Sequence, residues 1–216
     1  MHELLTVVLA TSNHGKLLEL RALLADLPIQ LLSAAELLGE SPSIVEDGAT
    51  FEENAAIKAR AIARATRTLA LADDSGLEVD ALGGRPGVRS ARFAHERATD
   101  AENNAVLLRE LAEVEEGART ARFRCVLALV DPRKESEVHF AAGSCEGSIA
   151  RAPRGNGGFG YDPLFVVAGK DGAVMAELSE ADKNRVSHRA EAVQGLRRIL
   201  VELLDARLNE TERIAG

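Results

Sequence analysis

The stretch Leu69–Arg92, LALADDSGLEVDALGGRPGVRSAR, decides the fold prediction. It opens with an apolar run of strand length, Leu69–Ala72, and then meets the adjacent carboxylates Asp73 and Asp74. Charge at the end of a buried strand is costly unless something compensates it. Ligands bind at the carboxyl ends of strands in open α/β sheets, and two acids there suit an oxygen-preferring cation such as Mg²⁺. The alternative is a solvated turn in which Asp and Ser side chains satisfy backbone N–H groups.

The composition predicts a packed domain with an acidic surface. The chain has 216 residues, of which 46% are apolar, so a sizeable core is expected. Its 26 basic and 34 acidic residues give a formal charge of −8. This balance argues against nucleic acid as a partner, because no broad basic face is available. A small anionic substrate in a local basic pocket is compatible with it.

The cysteines and the hydropathy pattern predict a cytoplasmic protein. Cys125 and Cys145 are too few for a disulfide framework or a zinc cluster, so we interpret them as buried thiols in a reducing compartment. A disulfide between neighbouring strands is the alternative. The N-terminus lacks a basic segment followed by a long apolar run, and no apolar run has membrane-spanning length. A membrane is therefore not an expected partner.

The N-terminal segment has the layout of an anion-binding turn. Leu4–Ala10 predicts a buried strand, and a helical pattern rich in leucine follows and ends at Pro28. The polar turn Thr11–Lys16 between them places free N–H groups, side-chain donors and a lysine at a helix N-terminus. The P-loop pattern is not met. The alternative is a capped helix with a surface lysine.

The next segments supply a second strand, a capped helix and two candidate polar residues. We predict a strand at Ile29–Ala34 and a loop at Glu36–Ser43. Thr50 with a glutamate three residues later forms a capping box, so a helix is expected to begin there. Glu46 precedes this helix in a loop where it can reach a metal, and Lys58 lies two turns into the helix.

The middle of the chain predicts a second lobe. A capping box at Thr99 predicts a helix that continues to about Val114. The alternating segment Thr120–Val130 predicts a long strand, and Val138–Ile149 predicts its antiparallel hairpin partner.

A glycine-rich segment, Gly155–Phe165, is the second concentrated signal. Glycines allow close approach of the backbone to a ligand, and Phe159 can stack on a flat heteroaromatic ring. Asp162 can accept hydrogen bonds from ring N–H groups. The alternative is a glycine-rich turn with a core Phe. Further along, Lys183, His188 and Arg189 lie near the start of a long amphipathic helix predicted after Ser187, and positive charge at a helix N-terminus is mildly unfavourable.

Six blocks in order resemble the inosine triphosphate pyrophosphatase family, the HAM1-like enzymes that include bacterial dITP/XTP pyrophosphatases. The matching blocks are Ala10–Lys16, Glu46–Ala59, Ala72–Leu77, Leu82–Arg92, Gly157–Pro163 and Ser187–Arg189. Each block is weak alone, but six in the family's order are highly specific.

The resemblance implies Mg²⁺-dependent cleavage of ITP, dITP and XTP to a nucleoside monophosphate and pyrophosphate. It implies that Glu46 and Asp74 hold the metal and that Asp74 is catalytic, accepting a proton from the attacking water. Phosphate contacts are implied for Thr11, Ser12, Asn13, His14, Gly15, Lys16, Lys58, Asp73 and Ser75. Base contacts are implied for Phe159, Gly160, Tyr161, Asp162, Lys183, His188 and Arg189, among which Arg189 can donate to a 6-oxo group.

The resemblance also implies an α/β fold with a long mixed central β-sheet flanked by helices. One domain of two lobes is expected, roughly residues 1–75 plus 160–216 and residues 76–159, with the cleft between them. The family is usually homodimeric. Alternative functions are a septum-inhibitor-type nucleotide pyrophosphatase that prefers pyrimidine or modified nucleotides, a nucleotide sensor without turnover, and a purely structural domain.

Overall fold

A computed structural model describes residues 4–40 and 42–215 and shows one mixed six-stranded sheet flanked by helices. The strands are β1 (Leu5–Leu9), β2 (Ile29–Ser33), β3 (Leu69–Val79), β4 (Thr120–Val130), β5 (His139–Ile149) and β6 (Phe165–Val167). The helices are α1 (His14–Leu23), α2 (Ala34–Leu38), α3 (Phe51–Thr66), α4 (Asp100–Glu110), α5 (Glu180–Val186) and α6 (His188–Ala215). Short 3₁₀ helices lie at Asp80–Leu82, Gly87–Arg92, Glu116–Ala118 and Met175–Glu177.

The sheet has the strand order β2-β1-β3-β4-β5-β6. β1 pairs in parallel with β2 and β3, and the remaining neighbours pair in antiparallel fashion. The predicted α/β class with a mixed sheet is therefore confirmed. β3 runs through the boundary proposed between the lobes after residue 75, and β4 pairs with it on both sides of that boundary, so the division into two lobes stays a prediction.

Both faces of the sheet are covered because side chains alternate along each strand. Val7 and Leu9 of β1 pack with leucines of α1 and α6, whereas Val8 between them packs against the alanine-rich face of α3. A third cluster at the far end of the long strands includes Leu77, Phe123 and Phe165. Covering by helices on both faces explains why β1 has a continuous apolar run.

The prediction that a strand ends before Asp73 is wrong, and so is the alternative of a solvated turn. β3 continues through Asp73, Asp74 and Ser75, which pair with Leu127, Val126 and Cys125 of β4. The ladder to β4 satisfies the backbone, and lysine and arginine side chains compensate the two buried carboxylates. Gly76 is required there, because an added Cβ would lie 2.4 Å from Ser90 Oγ.

The helix boundaries follow the predicted caps closely. Thr99 and Glu102 form the reciprocal capping box, although α4 ends at Glu110 rather than near Val114. Thr50 accepts from the N–H of Glu53 as predicted, but the Glu53 carboxylate accepts from the N–H of Ala49 at 2.6 Å.

One loop prediction is wrong. Ser33 and Glu36 form a capping box that starts the short helix α2 at Ala34, so this helix takes the last residue of the predicted strand and the first part of the predicted loop Glu36–Ser43. Ser187 caps α6, since its Oγ accepts from the N–H of Ala190 at 3.1 Å. The long helix predicted after Ser187 begins at His188 and continues to Ala215.

The two thiols are buried and free, as predicted. Cys125 lies opposite Gly143 and Cys145 lies opposite Phe123 in the β4–β5 ladder, so the alternative of a disulfide between these strands is wrong. No helix in the described part of the chain combines the length and the apolar content that a membrane crossing requires.

Candidate active site

Two adjoining cavities collect most of the predicted site residues. The first, the polar cavity, has a volume of about 570 Å³. Its wall includes Thr11, Ser12, Asn13, Lys16, Glu46, Lys58, Asp73, Asp74, Ser75 and Arg92. The second, the aromatic cavity, has a volume of about 120 Å³ and includes Phe123, Phe159, Gly160, Tyr161, Asp162, Lys183, His188 and Arg189 in its wall. Asn13, Lys16, Ser75 and Ala91 line both, so the cavities share a border.

The β1–α1 turn forms the floor of the polar cavity. Asn13 caps α1, because its Oδ1 accepts from the N–H of Lys16 at 3.1 Å, and Thr11 Oγ1 accepts from the N–H of Asn13 at 3.1 Å. Two N–H groups of the turn are thus already bonded within it, and the positive end of the helix dipole lies at the wall of the cavity, where it favours an anion. His14 is exposed and lines neither cavity, whereas an added Cβ at Gly15 would lie 2.6 Å from the Phe159 ring.

Asp73 is a buried hub of ionic and hydrogen bonds. It pairs with Lys16, accepts from Arg189 Nε at 2.8 Å, and also accepts from the Ser75 hydroxyl at 2.9 Å and the Cys125 thiol at 3.2 Å. Burial by itself raises the pKa of Asp73, but the charges of Arg189 and Lys16 outweigh it and hold that pKa well below its usual value. Asp73 is therefore ionised and fully engaged, which makes it a poor metal ligand.

Asp74 faces the opposite way and is incompletely satisfied. Lys58 Nζ donates to Asp74 Oδ1 and to Glu46 Oε2, each at 2.7 Å. Asp74 Oδ2 is buried and has no hydrogen-bond partner in the structure. Burial raises the pKa of Asp74 despite the neighbouring Lys58 charge. The charges of Asp74 and Glu46 raise the pKa of Lys58 even though burial alone would lower it.

The carboxylates of Glu46 and Asp74 fit a divalent cation that is also coordinated by a bound substrate. Glu46 and Asp74 both accept from the Lys58 ammonium and therefore lie close together, and the unpartnered Asp74 oxygen is an available ligand. Mg²⁺ commonly takes one or two carboxylates and completes its shell with waters and phosphates. Among the described residues, no group of three or more His, Cys, Asp or Glu side chains is arranged as a metal cage. A cation here would depend on a ligand for further coordination.

The glycine-rich segment folds as a tight turn that presents Phe159. Asp162 Oδ2 accepts from the N–H of Phe159 at 3.1 Å and from Lys183 Nζ at 2.7 Å. The ring N–H groups of a base, which are its predicted donors, would therefore compete with two donors from the protein. An added Cβ at Gly158 would lie 2.1 Å from Asp162 Oδ2. The Lys183 ammonium lies 4.7 Å from the centre of the Phe159 ring.

Tyr161 lines the aromatic cavity and also supports the turn. Its hydroxyl donates to the backbone oxygen of Ser90 at 2.8 Å, and burial raises its pKa. Gly160 has φ +61°, and its N–H donates to Asp100 Oδ2 at 2.7 Å. These bonds join the glycine-rich turn to the 3₁₀ helix and to α4.

Arg189 is 1% exposed, and each guanidinium nitrogen has a partner within the protein. Nε binds Asp73, Nη1 pairs with Glu19, and Nη2 donates to the Ser75 hydroxyl at 3.1 Å. Sequence reasoning did not include Glu19, which also accepts from Lys183 Nζ at 2.6 Å. The sequence did contain a signal for Glu19, because it lies one helical turn after Lys16 on the predicted first helix. Asp162, Lys183, Glu19, Arg189, Asp73 and Lys16 thus form an alternating chain of charges between the two cavities.

His188 is buried against the Phe123 ring, with 5.0 Å between ring centroids. Its Nδ1 is buried without a hydrogen-bond partner. Burial, followed by the neighbouring Arg189 charge, holds the pKa of His188 well below its usual value of 6.5. The imidazole is therefore neutral in the folded protein at neutral pH.

We expect His188→Phe to reduce the loss of stability on acidification. Below the unfolded pKa of 6.5, the unfolded chain gains a proton at this site that the folded chain does not gain, so folding weakens as pH falls. Between pH about 7.5 and about 5.5, the wild type should lose roughly 1 kcal/mol more unfolding free energy than the variant. Urea titrations at both values measure this. The exposed His95→Gln is the control, and equal losses in the wild type and His188→Phe would contradict the prediction.

Comparison with known proteins identifies a family. The Ham1 family model matches residues 7–199. The dITP/XTP pyrophosphatase of Bacillus licheniformis is 50% identical over 194 residues, covering 90% of this chain and 97% of that protein. The dITP/XTP pyrophosphatase of Geobacter sulfurreducens is 52% identical over 187 residues, covering 87% and 92%.

Solved structures give the same result. A HAM1 protein from Coxiella burnetii superposes with a TM-score of 0.82 at 44% identity, covering 92% of this chain and 99% of that one. A nucleoside-triphosphatase / dITP/XTP pyrophosphatase from Mycobacterium abscessus superposes with a TM-score of 0.69 at 42% identity, covering 93% and 99%.

Proposed function

The chain belongs to the Ham1 family, and on that basis we propose that it is a Mg²⁺-dependent nucleoside-triphosphate pyrophosphatase acting on dITP, XTP and ITP. Its relatives at about half identity carry the name dITP/XTP pyrophosphatase. The observation that carries the proposal is the unpartnered Asp74 oxygen beside Glu46, at the wall of a cavity that is also lined by the N-terminus of α1.

The polar cavity positions the triphosphate for attack by water. The turn Thr11–Lys16 donates N–H and hydroxyl groups to the phosphates, and Lys58 lies between the two carboxylates that would hold Mg²⁺. When bound, Mg²⁺ supplies charge neutralisation for the phosphates and increases the acidity of the attacking water. Asp74 orients that water toward the α-phosphorus and accepts its proton. Cleavage between the α- and β-phosphates releases the nucleoside monophosphate and pyrophosphate.

The aromatic cavity holds the base. The Phe159 ring stacks on the purine, and the cationic side chains around it favour a base that presents carbonyl oxygens. Arg189 Nη2 has a hydroxyl and not a carboxylate as its partner, so it is the guanidinium nitrogen best able to exchange that partner for a 6-oxo group. Adenine would present an amino group to this donor, leaving it unpaired in a closed pocket.

A panel of nucleoside triphosphates tests the function. With MgCl₂, dITP, XTP and ITP should yield monophosphate plus pyrophosphate, and kcat/KM for dATP should be at least about 100-fold lower because the 6-oxo acceptor is missing. Ion-exchange chromatography of the products measures both the rate and the bond that is cleaved. The same reactions with EDTA in place of MgCl₂ are the control and should show no turnover.

Two of the alternatives give different results in this panel. A preference for pyrimidine triphosphates would support the septum-inhibitor type. Thermal stabilisation by dITP without pyrophosphate release would support a sensor. Release of diphosphate plus orthophosphate would contradict the proposed bond cleavage. The homodimer and the cytoplasmic location stay predictions, and light scattering coupled to gel filtration measures the first.

A further inference from the structure

Arg92 lies in the polar cavity but belongs to none of the predicted contact sets. It ends the 3₁₀ helix Gly87–Arg92, and its side chain is 27% exposed. Its Nη2 donates to the backbone oxygen of Glu46 at 3.3 Å. Its carboxylate partner is Glu96, with 3.8 Å between Arg92 Nε and Glu96 Oε2, and the Glu96 side chain is 71% exposed. A solvent-exposed pair at this distance contributes little, so the positive charge of Arg92 remains available to a ligand.

The other cations of this wall are already paired. Lys16 is paired with Asp73, and Lys58 lies between Glu46 and Asp74. These two lysines and three carboxylates sum to 2 − 3 = −1. A triphosphate adds several negative charges, and phosphoryl transfer depends on their neutralisation. Arg92 is the cation among the described wall residues that has no close carboxylate partner.

The backbone beside Arg92 is held rigidly. Ser90 Oγ accepts from the N–H of Leu77 at 2.8 Å, and the backbone oxygen of Ser90 accepts from Tyr161. Asn103 Nδ2 donates to the backbone oxygen of Ala91 at 3.1 Å, and its Oδ1 accepts from the N–H of Ala94 at 2.9 Å. The arginine is therefore anchored to β3, α4 and the glycine-rich turn, and its backbone needs little further ordering when a ligand binds.

The position of Arg92 in the cavity wall indicates which end of the substrate it can contact. The border between the two cavities is formed by Asn13, Lys16, Ser75 and Ala91. Arg92 lines the polar cavity and is absent from the wall of the aromatic cavity. A nucleotide with its base beside Phe159 would cross the border with its sugar and α-phosphate. Its terminal phosphates would then lie toward Arg92.

Resting on the proposed function, we propose that Arg92 binds the terminal phosphates of the triphosphate and the pyrophosphate that leaves. A planar guanidinium with several N–H donors matches the oxygens of a phosphate, and such charge-assisted pairs are strong. The bond from Arg92 to the Glu46 backbone connects this contact to the loop that carries a proposed metal ligand. Arg92 thereby stabilises the pyrophosphate that leaves.

Binding of inorganic pyrophosphate tests the proposal without requiring turnover. Calorimetry with MgCl₂ compares the wild type with Arg92→Gln, and Arg89→Gln on the same 3₁₀ helix is the matched control. Arg89 is exposed and lines neither cavity, so this control removes the same charge without a direct contact. We expect Arg92→Gln to weaken pyrophosphate binding by about 10- to 100-fold. Binding of dIMP should change by less than about twofold, and Arg89→Gln should leave both affinities unchanged.

Three outcomes with these variants overturn the proposal. Unchanged pyrophosphate affinity in Arg92→Gln would exclude the contact. Equal weakening by both variants would indicate a long-range charge effect, and equal weakening of pyrophosphate and dIMP would indicate collapse of the Glu46 loop. If Arg92→Gln melts well below the wild type, Arg92→Lys replaces it in the experiment. We then expect an intermediate loss of affinity for pyrophosphate and none for dIMP. An unchanged pyrophosphate affinity in Arg92→Lys would contradict the proposal. A wild type that binds pyrophosphate but cleaves no dITP would refute the function and not the contact.

Discussion

Asp74→Asn is expected to lower kcat for dITP by at least about 1,000-fold, the largest effect on activity that we predict. The variant retains a side chain of the same shape, but its amide can neither hold a cation well nor accept a proton from water. The free Asp74 Oδ2 is the group that the substitution removes. Steady-state assays with pyrophosphate detection measure the loss.

The fold of the Asp74→Asn variant is expected to remain intact. Because burial raises the pKa of Asp74, its ionised form costs stability at neutral pH, and a neutral amide removes that cost. Glu46 remains as a partner for Lys58. Melting temperatures without metal should therefore be equal to or above those of the wild type, and added Mg²⁺ with dITP should stabilise only the wild type.

A control on the same strand separates the role of Asp74 from a general effect of lost charge. Glu78→Gln removes one carboxylate from β3, and the ion pairs of Glu78 with Arg122 and Arg124 are as long as 3.9 Å. We expect its turnover to change by less than about threefold. Retention of most activity in Asp74→Asn would refute the catalytic assignment.

Arg189→Met is expected to lower the unfolding free energy by about 3–5 kcal/mol, the largest stability effect that we predict. Removing one member of a buried ionic network leaves its partners as uncompensated charges. Here Asp73 is 1% exposed and would lose its bond from Nε, while Glu19 would keep only Lys183. Urea titration followed by far-UV circular dichroism measures the change.

The control for this prediction is an arginine close in sequence that lies on the surface. Arg185 is 76% exposed on α5, and its pair with Asp182 has an N–O distance of 3.5 Å. Arg185→Met should cost less than about 0.5 kcal/mol. Similar losses in the two variants would show that the buried network does not contribute to stability. The sequence alone suggested that Arg189 acts chiefly on the base, and its burial adds this structural role.

The alternating charges that include Arg189 also connect the two halves of the site. Lys183 supports the Phe159 ring at one end, and Lys16 reaches the polar cavity at the other. Glu19 and Asp73 hold the intervening cations in place. A substitution in the base pocket can thus disturb the phosphate site through shared ion pairs, and single variants in this chain should not be additive.

Local signals were sufficient for much of the fold. The bounds of β4 were predicted correctly, and β5 begins one residue after its expected start, because alternation and flanking turns are encoded within each segment. Capping pairs at Thr99 and Thr50 marked helix starts, since a cap is a bond between residues three apart. The ordered motifs were sufficient for the family, which the Ham1 model confirms.

Tertiary structure decided what happens at Asp73 and Asp74. The local sequence predicts that a strand ends at two adjacent acids. In the structure β3 continues through both residues, because they pair with β4. Their compensating charges come from Lys16, Lys58 and Arg189 on three different helices. The same applies to Glu19 and Arg92, whose surroundings form only when distant segments meet. The sequence by itself determined the elements and the family because those depend on neighbours along the chain, whereas the burial and pairing of each charge depend on neighbours in space.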